Sequence, residues 1–218
     1  MQKALSLLLG ETTAITGAGR TDAGVHAKQL FAHFDTEKLV QEDLHYRLNA
    51  LLPKTIVIKR IVKVKQEAHA RFDALYRSYE YHINLSHDPF LYDISWQVHN
   101  RRFDVDAMNK AATILLKHTN FKAFSKSKTD VKTYNCKITK AQWVQTGEQL
   151  VFYITADRFL RNMVRAIVGT LLDVGKGKLN TTDFEQIILS QNRSQAGFSV
   201  PASGLFLTEV GYPERIFL

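Results

Sequence analysis

Apolar positions recur at helical spacing in five parts of the chain. The first, residues 2–9, is followed by Gly10, which predicts a helix ending at that glycine. Two further runs follow the similar segments HFD at 33–35 and RFD at 102–104, a weak internal repeat that favours a duplicated core. The clearest stripe lies in 159–172. Thr182 and Glu185 are spaced as a capping box for the last predicted helix.

Other segments have the composition or the two-residue alternation of β-strands. They are residues 12–16, 29–34, 55–65, 77–83 and 151–154. In 77–83, Tyr79, Tyr81 and Ile83 are predicted to share one face of the strand. Helices and strands mixed in this way predict an α+β protein, and we place a domain boundary near residue 66.

Charge and composition narrow the class of protein. With 29 Lys and Arg against 21 Asp and Glu, the formal net charge is +8 and the pI about 9.5. A basic surface of this kind favours nucleic acid as a partner, although a merely basic protein has the same balance. The single cysteine, Cys136, excludes an intramolecular disulfide and a thiolate-rich zinc site. Without a signal-peptide pattern or an apolar run of membrane-spanning length, we expect a soluble cytoplasmic protein with no membrane partner.

One carboxylate stands out as a candidate for chemistry. Asp22 lies in the glycine-rich loop GAGRTDAGVHA, residues 17–27, between two predicted strands, with Arg20 two positions before it. Such a loop presents its acid to solvent or ligand, although an Asp in a turn commonly only satisfies its own backbone. The loop lacks the glycine-lysine ending of a phosphate-binding loop. His26 and His33 have no recognised metal-ligand spacing with Asp22.

The string GRTDAGVHA, residues 19–27, resembles the active-site motif of the tRNA pseudouridine synthase A family. The resemblance continues in four further blocks in the same order along the chain: ARFDA at 70–74, RSYEY at 77–81, FLRNMVRAIVG at 159–169 and ASGLFL at 202–207. These blocks span nearly the whole chain, so the resemblance is far more specific than a lone glycine pattern. It departs from the family at its start, where the first strand of the first sheet does not precede Met1. On that basis we expect reduced stability and an open sheet edge.

The resemblance implies the pseudouridine synthase fold, in which two similar α/β halves with antiparallel sheets and flanking helices surround a basic cleft. Here the halves would be residues 1–66, carrying the Asp22 loop, and 67–218. It also implies isomerisation of uridine to pseudouridine at positions 38–40 in the anticodon stem-loop of tRNA, by a homodimer that needs no cofactor. The reaction breaks the bond from ribose C1′ to uracil N1 and forms one to C5, so one essential carboxylate suffices.

The same resemblance assigns roles to four residues. Asp22 matches the catalytic aspartate, which attacks C1′ or C6 or acts as a base. Arg165 matches the arginine that pairs with it, although Arg161 and Arg165 also fit a solvated helix face. Tyr79 matches the tyrosine that packs against the target uracil, whereas Tyr81 fits the core better. Arg20 matches a residue that holds the flipped nucleotide.

Backbone contacts to tRNA would come from dispersed cations that position the RNA rather than specify its sequence. The candidates are Arg71, Arg77, Lys126, Lys128, Lys132, Arg158 and Arg161. Two other classes of function stay open from the residues alone. One is a non-catalytic RNA-binding protein, indifferent to Asp22→Asn, and the other is a metal-dependent nuclease using Asp22 and the histidines, which a chelator would inactivate.

Overall fold

The computed structural model describes residues 1–99, 101–127 and 131–218. The α-helices are α1 Gln2–Leu9, α2 Leu44–Leu51, α3 Val105–Ile114, α4 Met163–Gly175 and α5 Thr181–Ser190. The strands are β1 Thr16–Gly17, β2 His26–Ala27, β3 Ala32–His33, β4 Tyr76–Asn84, β5 Trp96–Gln97, β6 Ile138–Thr146, β7 Gln149–Ala156 and β8 Leu205–Gly211. This content confirms the predicted α+β class.

The chain forms two compact units built from interleaved segments. The first unit contains Met1–Arg20, Leu30–Ala74 and Tyr212–Leu218, and the second contains Thr21–Gln29 and Leu75–Gly211. The second unit therefore takes in the Asp22 loop as well as the later part of the chain. The predicted division into 1–66 and 67–218 stays a prediction about the domains of the family.

The first unit has a small core beneath two short helices. Leu5 of α1 and Leu44 and Leu48 of α2 are buried there, and Gly10 ends α1 with a left-handed backbone at φ 69°. The helix predicted for 2–9 is thus confirmed. Strands β1 and β3 pair antiparallel over only two residues each, so the strands predicted for 12–16 and 29–34 are shorter than expected. The helix after residues 33–35 begins only at Leu44.

The strand predicted for 55–65 is wrong. Across the stretch 53–75, which is described throughout, the only β pairing is an isolated bridge between Val64 and Phe217. The Asn49 side chain satisfies both backbone groups of Ile58, accepting from its N–H at 2.7 Å and donating to its carbonyl at 2.9 Å. A side chain thus satisfies the backbone of Ile58 in place of a neighbouring strand. Ile58 and Ile61 pack against the core of the first unit, whereas Ile56, Val57 and Val62 are exposed.

The second unit is built on a mixed sheet. Its strand order is β2-β8-β4-β7-β6, and the short β5 pairs with the end of β4. The pairs β2–β8 and β4–β5 are parallel, and the other pairs are antiparallel. Strand β4 lies at the centre and confirms the strand predicted for 77–83. Its Tyr81 and Ile83 are fully buried, and Tyr79 packs against the same core, as the alternation predicts.

Helices α3, α4 and α5 contribute to the same core as one face of this sheet. Asp104 caps α3 by accepting from the Ala107 N–H at 2.9 Å, which confirms the helix predicted after residues 102–104. The lone Cys136 is buried in this core, and burial raises the pKa of its thiol to about 12, so it packs as an unreactive apolar group. Within the described residues, the helices are too short or too polar to cross a membrane.

Two helix boundaries differ from their predictions. The helix predicted for 159–172 begins four residues later, because Asn162 has a left-handed backbone with φ 66° that a continuous helix cannot contain. The apolar residues of the predicted stripe are nevertheless buried. The capping box of α5 joins Asn180 and Asp183 rather than Thr182 and Glu185, since Asn180 occupies the N-cap position and accepts from the Asp183 N–H.

Candidate active site

The Asp22 loop enters the second unit as a tight turn. The Asp22 carbonyl accepts from the Val25 N–H at 3.2 Å, and Gly24 between them has φ 84°. A turn with positive φ at its third position requires a residue such as glycine. A Cβ on Gly24 would also lie 3.3 Å from the Cβ of Ala202. The glycine therefore allows the turn to pack closely, and β2, paired with β8, fixes the end of the loop.

The carboxylate of Asp22 is held from one side by an arginine of α4. Arg165 Nη1 donates to Asp22 Oδ2 at 3.1 Å, and Arg165 Nε donates to the Val200 carbonyl at 2.7 Å. The two side chains are 24% and 21% exposed, so solvent screens this ion pair less than a surface pair. Two hydrogen bonds in different directions fix the guanidinium plane, and with it the orientation of the carboxylate.

The second carboxylate oxygen of Asp22 is less restrained. Its nearest cation is Arg161, whose Nε lies 3.8 Å from Oδ1, beyond hydrogen-bonding distance, and whose side chain is 60% exposed. Among the described residues no side chain or backbone donor reaches Oδ1. One oxygen is thus oriented by Arg165 while the other stays available for a reacting group, which is the arrangement that a nucleophile or base needs.

Tyr79 lies on β4, where a bulge shifts the pairing with β8 so that Ser78 faces Glu209 and Tyr79 faces Leu207. Bulges commonly redirect a side chain next to a site. The rings of Tyr79 and Phe159 lie nearly perpendicular, at a centroid distance of 5.1 Å and an angle of 86°. Burial raises the pKa of Tyr79 to about 12; Arg77 opposes that shift and the Asp22 carboxylate adds to it. The hydroxyl is therefore protonated near neutral pH.

This pKa predicts an alkaline loss of stability. The pKa of Tyr79 is about 12 in the folded protein and 10.0 in the unfolded chain. The contribution of Tyr79 to the free energy of unfolding is therefore complete below pH 10 and is lost as the pH rises towards 12. A two-unit difference corresponds to at most about 2–3 kcal/mol. Urea melts at pH 9 and at pH 11.5 measure how much unfolding free energy is lost between these two pH values. We expect this loss to be smaller for Tyr79→Phe than for the parent. Tyr92→Phe, at an exposed tyrosine, serves as control, and an equal loss in all three proteins would refute the assignment.

An open cavity of about 490 Å³ lies beside Asp22. It is lined by Asp22, Lys126, Ser127, Asn162, Arg165, Arg193 and Ser199. Arg193 and Ser199 carry no signal in a single sequence, because they reach the cavity from a segment far from the other wall residues along the chain. Asn162 lies inside the block 159–169, and only its left-handed backbone distinguishes it there. Sequence reasoning found two of these lining residues as site residues, Asp22 and Arg165, and named Lys126 as an RNA contact.

The remaining predicted residues have other surroundings. Arg20 is the last residue of its segment in the first unit, whereas Asp22 belongs to the second, so its role stays a prediction. Tyr81 donates to the Pro201 carbonyl at 2.8 Å inside the core, in line with a structural role. His26 stacks on Phe206, and His33 accepts from the Ala70 N–H. Lys128 lies outside the described residues.

Comparison with known proteins agrees with this geometry. Residues 111–213, which include Arg165 and most of the cavity wall, match the family model described as tRNA pseudouridine synthase. The whole chain is 51% identical to tRNA pseudouridine synthase A of Porphyromonas gingivalis, of which it covers 88%. It is 49% identical to the protein of that name from Parabacteroides distasonis, again over the whole chain and 86% of the relative. The chain belongs to the tRNA pseudouridine synthase A family.

Proposed function

We propose that this protein isomerises uridine to pseudouridine in tRNA, at positions 38–40 of the anticodon stem-loop. The observation that carries the proposal is the half-buried Asp22 carboxylate, oriented through one oxygen by Arg165 and open at the other, beside a cavity lined by cations. Relatives with about 50% identity over the whole chain bear the name of this activity. We also propose that the enzyme acts as a homodimer without a cofactor, as the family resemblance implies.

The reaction is balanced within the uridine itself. The bond between C1′ and N1 breaks, the base turns, and C5 bonds to C1′; C5 loses a proton and N1 gains one. Asp22 supplies the ionised carboxylate through Oδ1, which no donor among the described residues occupies. Arg165 holds that carboxylate in a fixed orientation while the RNA displaces water from the site.

Tyr79 and Arg20 complete the proposed site. The partly buried ring of Tyr79 offers a face against which the extruded uracil stacks, an interaction worth about 1–3 kcal/mol for an aromatic side chain. Its hydroxyl is protonated at neutral pH, and its raised pKa disfavours the phenolate further, so it serves as a hydrogen-bond donor. Arg20, two residues before Asp22, holds the nucleotide in its flipped position.

Release of tritium from tRNA labelled as [5-³H]uridine tests this proposal, because pseudouridine formation removes the hydrogen at C5. We expect release without added metal and in the presence of EDTA, and loss of it when U38, U39 and U40 are all replaced by C. Release that persists in the triple replacement would overturn the assigned positions. Bound but unmodified tRNA would support the RNA-binding alternative, and EDTA-sensitive cleavage on a denaturing gel would support the nuclease.

A further inference from the structure

The cavity beside Asp22 contains a hydroxyl with a spare donor. Ser199 Oγ accepts from the amide nitrogen of Asn162 at 2.6 Å and from Arg193 Nη2 at 2.9 Å. A hydroxyl oxygen has two acceptor positions and one O–H donor, and neither a guanidinium nor an amide NH₂ can accept. Both acceptor positions are therefore occupied, and among the described residues the Ser199 O–H has no acceptor.

Arg193 is a partly buried cation whose partners are neutral. Its Nη1 donates to the carbonyls of Ala196 and Gly197 at 3.3 and 3.1 Å, and its Nη2 donates to Ser199. Burial lowers the pKa of Arg193, since it disfavours the charged guanidinium. No carboxylate forms an ion pair with it in the part of the chain that the structure describes. A charge in this position is stabilised by any anion that enters the cavity.

The other residues lining the cavity have the same electrostatic character. Its two arginines, Arg165 and Arg193, face a single carboxylate, and that carboxylate already pairs with Arg165. Asn162 adds a second amide N–H, and Ser127 adds a hydroxyl. Donors and positive charge are thus in excess, and an acceptor with negative charge is what the arrangement lacks. A neutral uracil carbonyl would satisfy one donor but leave this charge uncompensated.

We infer that Arg193, Ser199 and Asn162 form a subsite for a backbone phosphate of the RNA, one of the two that flank the target nucleotide. The inference rests on the proposed function. The phosphates on either side of a ribose are joined through its C3′ and C5′ oxygens, only a few bonds from C1′. Asp22, which must contact C1′ or the base, lines the same cavity of about 490 Å³ as Arg193, Ser199 and Asn162. In this subsite Ser199 donates its hydroxyl to a phosphate oxygen and Arg193 supplies the charge.

A cycle of paired substitutions in protein and RNA tests the subsite. Full-length tRNAs are assembled by ligation with one neutral methylphosphonate linkage, placed 5′ or 3′ of the modified uridine. Loss of one hydrogen bond to a charged group lowers binding affinity by about tenfold. The neutral linkage at the contacted phosphate is therefore expected to lower kcat/KM and affinity of the parent by about that factor. In Arg193→Gln and in Ser199→Ala the same linkage should lower kcat/KM and affinity by much less than about tenfold, because the contact to the phosphate is already missing.

Ser194→Ala is the matched control. It removes an exposed hydroxyl from the same segment, whose one bond among the described residues is to Asn192. In this variant the neutral linkage should lower kcat/KM and affinity as much as it does in the parent. Ser199→Ala leaves the carbonyl bonds of Arg193 intact, so it remains informative if Arg193→Gln fails to fold. If the neutral linkage lowers kcat/KM and affinity equally in the parent, Arg193→Gln and Ser199→Ala, the proposed phosphate subsite is refuted. Loss of activity in Ser199→Ala with no effect of either linkage would also overturn it and would assign the donors to the base. If the unsubstituted tRNA binds but is not isomerised, the proposed function fails, while the phosphate coupling is still measured by Kd.

Discussion

Asp22→Asn is expected to abolish pseudouridine formation while leaving tRNA binding intact. The amide has the same shape but cannot act as a nucleophile or a base, and loss of such a group lowers rates by at least about 10³-fold. Binding should be unchanged or tighter, since the substitution removes a negative charge from a cavity that faces RNA. Single-turnover tritium release measures the rate, and filter binding measures Kd.

Asp93→Asn, at an exposed aspartate outside the cavity, controls for general effects of the substitution. A normal thermal melt of Asp22→Asn is required for the comparison, and Arg165 keeps its bond to the Val200 carbonyl in that variant. Turnover by Asp22→Asn at more than a small fraction of the parental rate would remove Asp22 from the chemistry and return the choice to the RNA-binding alternative.

Gly169→Ala is expected to have the largest effect on stability. An added Cβ would overlap the Phe198 carbonyl oxygen, where the segment 197–200 crosses α4. The segment cannot move away easily, because the Gly197 N–H donates to Thr170 Oγ1 at 2.8 Å. Alanine gains about 1 kcal/mol in helix propensity, but overpacking of backbone against backbone costs about 3 kcal/mol or more, so the variant is destabilised overall.

The same variant should lose activity even where it is folded. The segment that Gly169 contacts carries Val200, whose carbonyl orients Arg165. Urea melts give the unfolding free energy, and tritium release at a temperature where the variant is folded gives the activity. Gly19→Ala controls for stability, because a Cβ there meets no atom within 4 Å and its φ is not positive. Parental melting and activity in Gly169→Ala would show that this contact is not needed.

The sequence predicted the features that depend on local patterns. Tyr79, Tyr81 and Ile83 share a face because alternation in a central strand is a direct consequence of strand geometry. The helix after residues 102–104 was predictable because its apolar positions recur at helical spacing, and the structure adds Asp104 as its cap. The predicted strand 55–65 failed because alternation does not by itself supply a partner strand: the backbone of Ile58 bonds to the Asn49 side chain, and the β pairing of the segment is the single bridge from Val64 to Phe217.

The residues of the candidate site also fall into those that local motifs predict and those that they do not. Asp22 and Arg165 were accessible through their motifs, and their ion pair follows from the fold. Arg193 and Ser199 could not be predicted, because the bond that brings Ser199 to the site comes from Asn162, 37 residues earlier in the chain, and Arg193 is linked to the site through Ser199. Long-range polar contacts of this kind have no periodic signal in a single chain.

The interleaving of the two units has a consequence for synthesis on the ribosome. The segment 212–218 completes the first unit: Tyr212 donates to the Ala70 carbonyl, Lys65 donates to the Ile216 carbonyl, and Val64 bridges to Phe217. These partners are translated only after the entire stretch 75–211, which belongs to the second unit. The first unit, most of which is translated early, therefore cannot be completed until the whole of the second has been synthesised.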